Sequence, residues 1–146
     1  QNPQTINLFE PAATRTAPTT EGTAAVTLTP WPRDQFPNPE QFIRDYYDKI
    51  NQKNYAEAWT MLSKNFQQSC CYIALNDPYQ VYLNWWNTIE KVEVTSAYLQ
   101  AWDTNPAEVY TSLKYTTNKG EIVEVVNDYF LIADAETNSL LIDQVK

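Results

Sequence analysis

Tyr82 to Val94 reads YLNWWNTIEKVEV, and the hydrophobic period changes within it. Tyr82, Trp85, Trp86 and Ile89 recur at i, i+3, i+4 and i+7, the stripe of an amphipathic helix. From Lys91 onward the period falls to two, in "KVEVTSAYLQAW" and then in "AEVYTSLKYTT", "EIVEVVNDYFLIAD" and "SLLIDQVK". These runs are rich in Val, Thr, Tyr and Ile, as strands prefer. Turn signals separate them at Asp103-Thr104-Asn105-Pro106, Asn118-Lys119-Gly120 and Asp134 to Ser139. The expectation is an antiparallel meander of four strands that starts just after the tryptophan pair.

Working back from Tyr82, helix starts use one device. Asn38-Pro39-Glu40-Gln41 and Asp77-Pro78-Tyr79-Gln80 each offer an N-cap side chain, proline at the first helical position and a glutamine three residues on. Asn54-Tyr55-Ala56-Glu57 lacks only the proline. After the first start, Phe42, Ile43, Tyr46, Tyr47 and Ile50 form one broad apolar face over about 39–52, and Tyr55, Ala58, Trp59 and Leu62 form a second. Three helices followed by four strands imply an α+β domain with the helices on one face of the sheet. On this pattern Trp85 and Trp86 belong to the core before they belong to a ligand cage. Because they diverge by about 100° on a helix, one is expected to face the sheet interior and the other the rim.

The 146 residues suffice for one domain with a real core. Seven of the nine prolines fall within the first 39 residues, where "TRTAPTTEGTAAVTLTP" shows neither helical nor alternating apolar period. Residues 1–37 are therefore expected to be a flexible Thr/Pro-rich linker, useful as a tether, and 38–146 the domain. Gln1 is not an initiator, and no signal peptide is visible, so the chain reads as a piece of something longer. No run of about 18 apolar residues is present to span a bilayer.

The net charge of −8 disfavours nucleic acid, since phosphate binding needs clustered Lys and Arg. Histidine is absent, which removes the side chain best suited to proton transfer near neutral pH. The sequence has no phosphate loop, no G-x-S-x-G elbow and no Cys/His spacing for zinc. No metal or cofactor is expected. Asp45, Asp48 and Asp103 read as solvated or capping acids, whereas Asp128, followed by Tyr129 and Phe130, is the one acid that its neighbours could bury facing the interior. Cys70 and Cys71 are adjacent, which rules out an ordinary bridge. Two buried free thiols are the preferred expectation, and a strained vicinal disulfide is the alternative.

The motifs "YYDKINQKNYAEAWTMLSKNFQ" and "YLNWWNTIEKVEV", in this order, resemble the cone-shaped superfamily named after nuclear transport factor 2. More narrowly, they are similar to its extracytoplasmic bacterial members that follow a serine/threonine kinase domain, a membrane helix and a Pro/Thr-rich linker. The likeness covers about 38–146 and departs from the pattern at "SCCYIALNDP", a longer connection before the last helix. It implies three helices on a curved sheet and an extracytoplasmic, membrane-tethered domain anchored by a missing N-terminal portion. Enzymes on that fold, such as ketosteroid isomerases, use an Asp or His base deep in the cone.

The expected function is non-catalytic binding of a small apolar or aromatic ligand or of a protein partner. The cone wall is expected from Tyr46, Tyr47, Trp59, Tyr82, Trp86, Tyr98, Tyr110 and Tyr129. The alternatives are a small-molecule enzyme on the same cone and a secreted module that forms a homodimer through its sheet.

Overall fold

The computed structural model describes residues 36–73, 76–101 and 106–146. The linker expectation, Trp102 and Asp103 therefore lie outside the described residues. Four helices precede four strands: α1 (Pro39–Asn51), α2 (Tyr55–Thr60), α3 (Lys64–Cys70), α4 (Pro78–Trp86), β1 (Ile89–Ala101), β2 (Ala107–Thr117), β3 (Ile122–Asp134) and β4 (Ser139–Val145). The sheet order is β1-β2-β3-β4, antiparallel throughout. This is the α+β meander expected from the change of period, with one more helix than the apolar stripes announced. No helix among the described residues is long and apolar enough to cross a membrane.

The capping device works unevenly. Asn38 accepts from the backbone N–H groups of Glu40 (2.8 Å) and Gln41 (3.2 Å), and Pro39 opens α1. Gln41 does not reach back; its amide donates to Asp45 at 2.9 Å. Asn54 and Asp77 occupy N-cap positions without a side-chain cap bond. The additional helix has a working cap: Ser63 Oγ accepts from the Phe66 N–H at 3.0 Å. Ser63 also donates to Asp143 at 2.6 Å, and Leu62 forms a parallel bridge with Ile142. The turn between α2 and α3 thus lies along β4 and pairs with the outer strand of the sheet, whose edge would otherwise present unpaired groups.

α1 is fastened to β1 where that strand is irregular. Register shifts occur between Ile89 and Lys91, Val94 and Ser96, and Leu99 and Ala101, and each such bulge frees backbone groups from the ladder. Polar side chains of α1 bond to backbone groups near these shifts, along a strand that ends the sheet. The Leu99 N–H donates to Glu40 at 2.9 Å. Arg44 donates to the Val94 carbonyl at 3.4 Å. Asn51 binds Val92 twice, donating to its carbonyl and accepting from its N–H, both at 2.8 Å. β1 therefore bends around α1.

Burial alternates along β2, with Ala107, Val109, Thr111, Leu113 and Tyr115 inward. Asn127, Tyr129 and Leu131 of β3 and Leu140, Ile142 and Val145 of β4 complete the inner face. The opposite face of the sheet carries no helix from the described residues and leaves Tyr98 and Val126 about half exposed, at 49% and 51%.

Candidate functional site

Adjacent aromatic residues on α1, Tyr46 and Tyr47, are both buried, because a broad helical stripe admits neighbours at its two edges. Their rings meet edge to face, with centroids 4.9 Å apart. α4 adds Tyr82 and Trp86, one turn apart, and β3 adds Tyr129, all fully enclosed. Trp86 touches Tyr47, Tyr82, Trp85 and Tyr115 edge to face, at centroid distances of 6.2, 6.2, 4.5 and 6.2 Å. The structure thus brings five of the eight expected wall residues into one cluster.

These rings pack against one another across the interior. The Tyr46 and Tyr82 hydroxyls lie 2.7 Å apart, the Tyr47 and Tyr129 hydroxyls are bonded to each other, and the Asn127 amide is 3.5 Å from the Tyr129 hydroxyl. Polar tips that would have met a ligand are turned on one another. Burial raises the pKa of Tyr46, Tyr47, Tyr82, Tyr115 and Tyr129 above the ordinary phenol value, so all five are neutral hydroxyls at physiological pH. Among the described residues the buried polar side chains are Ser63, Thr111 and Asn127, none of them charged. Such an interior, among the described residues, offers hydrogen bonds and aromatic faces.

Trp59 and Tyr79 sit at the border. Trp59 is half-buried and packs on Tyr82 (4.8 Å) and Tyr79 (5.2 Å). It extends the cluster toward solvent between α2 and α4. The expectation for the tryptophan pair is corrected: Trp86 is completely enclosed and Trp85 is 7% exposed. Residue 86 is thus central, and neither indole lies at an open rim.

Tyr98 and Tyr110 do not join the cluster. They are direct cross-strand partners, with rings 5.6 Å apart, on the opposite face of the sheet. The reason is register: Val109 and Thr111 point inward, so Tyr110 between them points out. Tyr98 follows because paired residues share a face.

Asp128 also lies on that outer face, opposite Tyr110, not in the cone. Partial burial and the neighbouring Glu108 carboxylate raise its pKa to about 7, while Lys146 acts to lower it. Its backbone exchanges two 2.9 Å bonds with Lys146, and the Lys146 ammonium lies 4.8 Å above the Phe130 ring. Asp45 and Asp48 are exposed on α1, as the helical stripe required.

Cys70 and Cys71 are joined by a vicinal disulfide, which replaces the expectation of two free thiols. An open hollow of about 490 Å³ lies elsewhere, lined by Asn51, Glu90, Lys91 and Thr116. It contains none of the expected wall residues. The sequence offered no signal for it beyond the irregular start of β1.

No protein-family model matches the chain. A serine/threonine-protein kinase, PknA, of Nostoc sp. (strain PCC 7120 / SAG 25.82 / UTEX 2576) is 32% identical over 133 residues, covering 90% of this chain and 23% of the kinase. The chain therefore spans about a quarter of the length of the curated relative it matches. Its glycines are Gly22 and Gly120 and it has no histidine, so it contains neither a glycine-rich G-x-G-x-x-G loop nor a His-Arg-Asp catalytic loop. The likeness falls on sequence without these kinase signatures, which fits a kinase-associated domain.

Proposed function

We propose that this chain is a non-catalytic, extracytoplasmic binding domain of the nuclear-transport-factor-2-like superfamily, tethered through its Thr/Pro-rich segment to a membrane protein of the serine/threonine kinase type. The observation that carries the reading is the partial likeness to the kinase, confined to a stretch without the kinase motifs. The aromatic cluster supports the non-catalytic part. Its hydroxyls are neutral and bonded to one another, and no charged side chain is among the buried described residues. Asp128 has the proton affinity of a general base, but it faces away from the cluster, beside Glu108, on the open side of the sheet.

Because aromatic rings occupy the interior, the surface better suited to binding is the outer sheet face. Tyr98, Tyr110 and Val126 present apolar area there, rimmed by Glu108, Asp128 and Lys114. A protein partner, a second copy of the chain included, suits such a face better than a small ligand.

Two measurements test this on the full-length protein in its own membrane. Alkaline phosphatase fused after the domain should be active and a green fluorescent fusion dark; the reverse result places the domain in the cytoplasm and overturns the reading. A photo-crosslinking amino acid at Tyr98 should capture protein, whereas one at Asp48, exposed on α1, should not. Equal capture at both positions, or none at Tyr98, would refute the outer-face assignment.

A further inference from the structure

Bridging adjacent cysteines does something different from an ordinary disulfide. The stabilisation a bridge confers by restricting the unfolded chain grows with the length of the loop it closes. Between Cys70 and Cys71 that loop is a single peptide unit, with Cα atoms 3.7 Å apart. The bond therefore ties together no distant parts of the fold. What it fixes is the local backbone where α3 ends, since Cys70 is the last residue of α3 and Cys71 its C-cap, outside helical geometry at φ −127° and ψ 23°.

Three further observations bear on that position. Both cysteines belong to the core cluster, at 3% and 1% exposure, yet the next residue, Tyr72, is 74% exposed. Cys70 Sγ lies 3.9 Å from the Gln67 carbonyl, so a reduced Cys70 thiol has an acceptor in place without rearrangement of α3. α4 follows in the chain, and its first turn carries Tyr79, which meets Trp59 edge to face and stacks on Tyr82 at the solvent border of the aromatic cluster.

We propose that Cys70–Cys71 is a reversible thiol–disulfide switch that sets the backbone conformation at the C-terminal end of α3. The reductant is a dithiol, either a small molecule or a thioredoxin-like protein. One thiolate attacks a bridge sulfur, forming a mixed disulfide and releasing the other sulfur as thiolate. The second thiol of the reductant then displaces the first cysteine. One disulfide is lost from the protein and one is gained by the dithiol, and the two released thiolates take up the two protons that the dithiol gave up. Attack requires local opening at the C-terminal end of α3, where the last carbonyls of a helix lack helical partners.

The test uses the whole chain, purified without reductant, and three readouts. Mass spectrometry should show a protein 2 Da below its reduced mass, with that 2 Da restored, and two maleimide labels accepted, on treatment with dithiothreitol under native conditions. Hydrogen exchange should then quicken in peptides covering the end of α3 and the start of α4, and stay unchanged in β2 and β3. Reoxidation should reverse both effects, and the Cys70→Ser/Cys71→Ser protein should resemble the reduced form without responding to dithiothreitol. Thiols that become reactive only when the domain unfolds would overturn the proposal, because the bridge would then be inert. Loss of the thermal transition on reduction would overturn it too, making the bridge a staple of the fold. Two free thiols that no oxidant can join would sink it outright. If the double variant fails to fold, the wild-type exchange experiment alone decides.

Discussion

The hydroxyl of Tyr46 on α1 lies 2.7 Å from that of Tyr82 on α4, a bond between two helices inside an otherwise aromatic shell. Both residues are fully enclosed, so neither hydroxyl has bulk water as an alternative partner. Replacing either tyrosine by phenylalanine removes the bond, at about 1–2 kcal/mol each. The double replacement should cost less than the sum, with a coupling on the order of 0.5–1 kcal/mol. Denaturant titration of the four proteins measures this. Strict additivity would mean that the two hydroxyls do not hold each other.

Trp86 is the centre of the shell, in contact with four other rings. Trp86→Ala empties the largest enclosed site and should destabilise by about 3–5 kcal/mol. Trp85→Ala, which opens a site already touching solvent, should cost somewhat less, and the half-buried Trp59 the least of the three. Thermal unfolding of the set checks the order. A larger loss at Trp59 than at Trp86 would place the centre of the cluster elsewhere.

Asn51 stands in for a strand partner beside β1, an outer strand of the sheet, giving Val92 both a donor and an acceptor. Asn51→Ala leaves that N–H and carbonyl to find water, and should cost about 1–3 kcal/mol. Asn51→Asp keeps the acceptor and loses the donor, so it should fall between the two. Exchange of the Val92 amide should quicken in step with the stability loss. An unchanged rate would show that the side chain does not protect it.

How far the sequence carried this description depended on period. Where apolar residues repeat at 3.6 or 2, as in Phe42 to Ile50 or Ala107 to Thr117, elements and buried faces followed within a residue or two. α3 was hidden because its seven residues are too few to show a stripe, and because Phe66 stands where a capping box would have Glu or Gln. Tyr98 and Tyr110 were misassigned for another reason. Alternation says that neighbouring strand residues face opposite ways, but not which way, and residue type misleads when a tyrosine faces solvent. Leu62 was counted on the second helix, yet it bridges to Ile142, a long-range pairing that no local pattern announces. The same holds for the aromatic cluster. Its members could be named from the helical stripes, but whether they would line a cavity or fill it depended on hydroxyl pairing between α1 and α4 and between α1 and β3.

Asp128 gives the fold a dependence on pH whose sign is unusual for a carboxylate. Partial burial comes first and the Glu108 carboxylate second in raising its pKa to about 7, and Lys146 opposes them. In the unfolded chain the same group titrates near about 3.9. Between those values the folded protein holds a proton that the unfolded chain has released. Its contribution is therefore fully present below about pH 4 and is lost as pH rises toward about 7, with no further change above. Much of Asp128 remains in contact with solvent, so screening reduces the effect to the order of 1 kcal/mol. Asp128→Asn should remove this decline and make the protein more stable than wild type at about pH 8. Glu108→Gln should bring the Asp128 pKa back toward the ordinary carboxylate range and flatten the same part of the curve. Denaturant titrations at about pH 5, 6.5 and 8, together with carboxyl NMR of Asp128, measure both effects. If wild type and Asp128→Asn lose stability in parallel across that range, the proton is held elsewhere, and the pair on the outer sheet face is two independent acids.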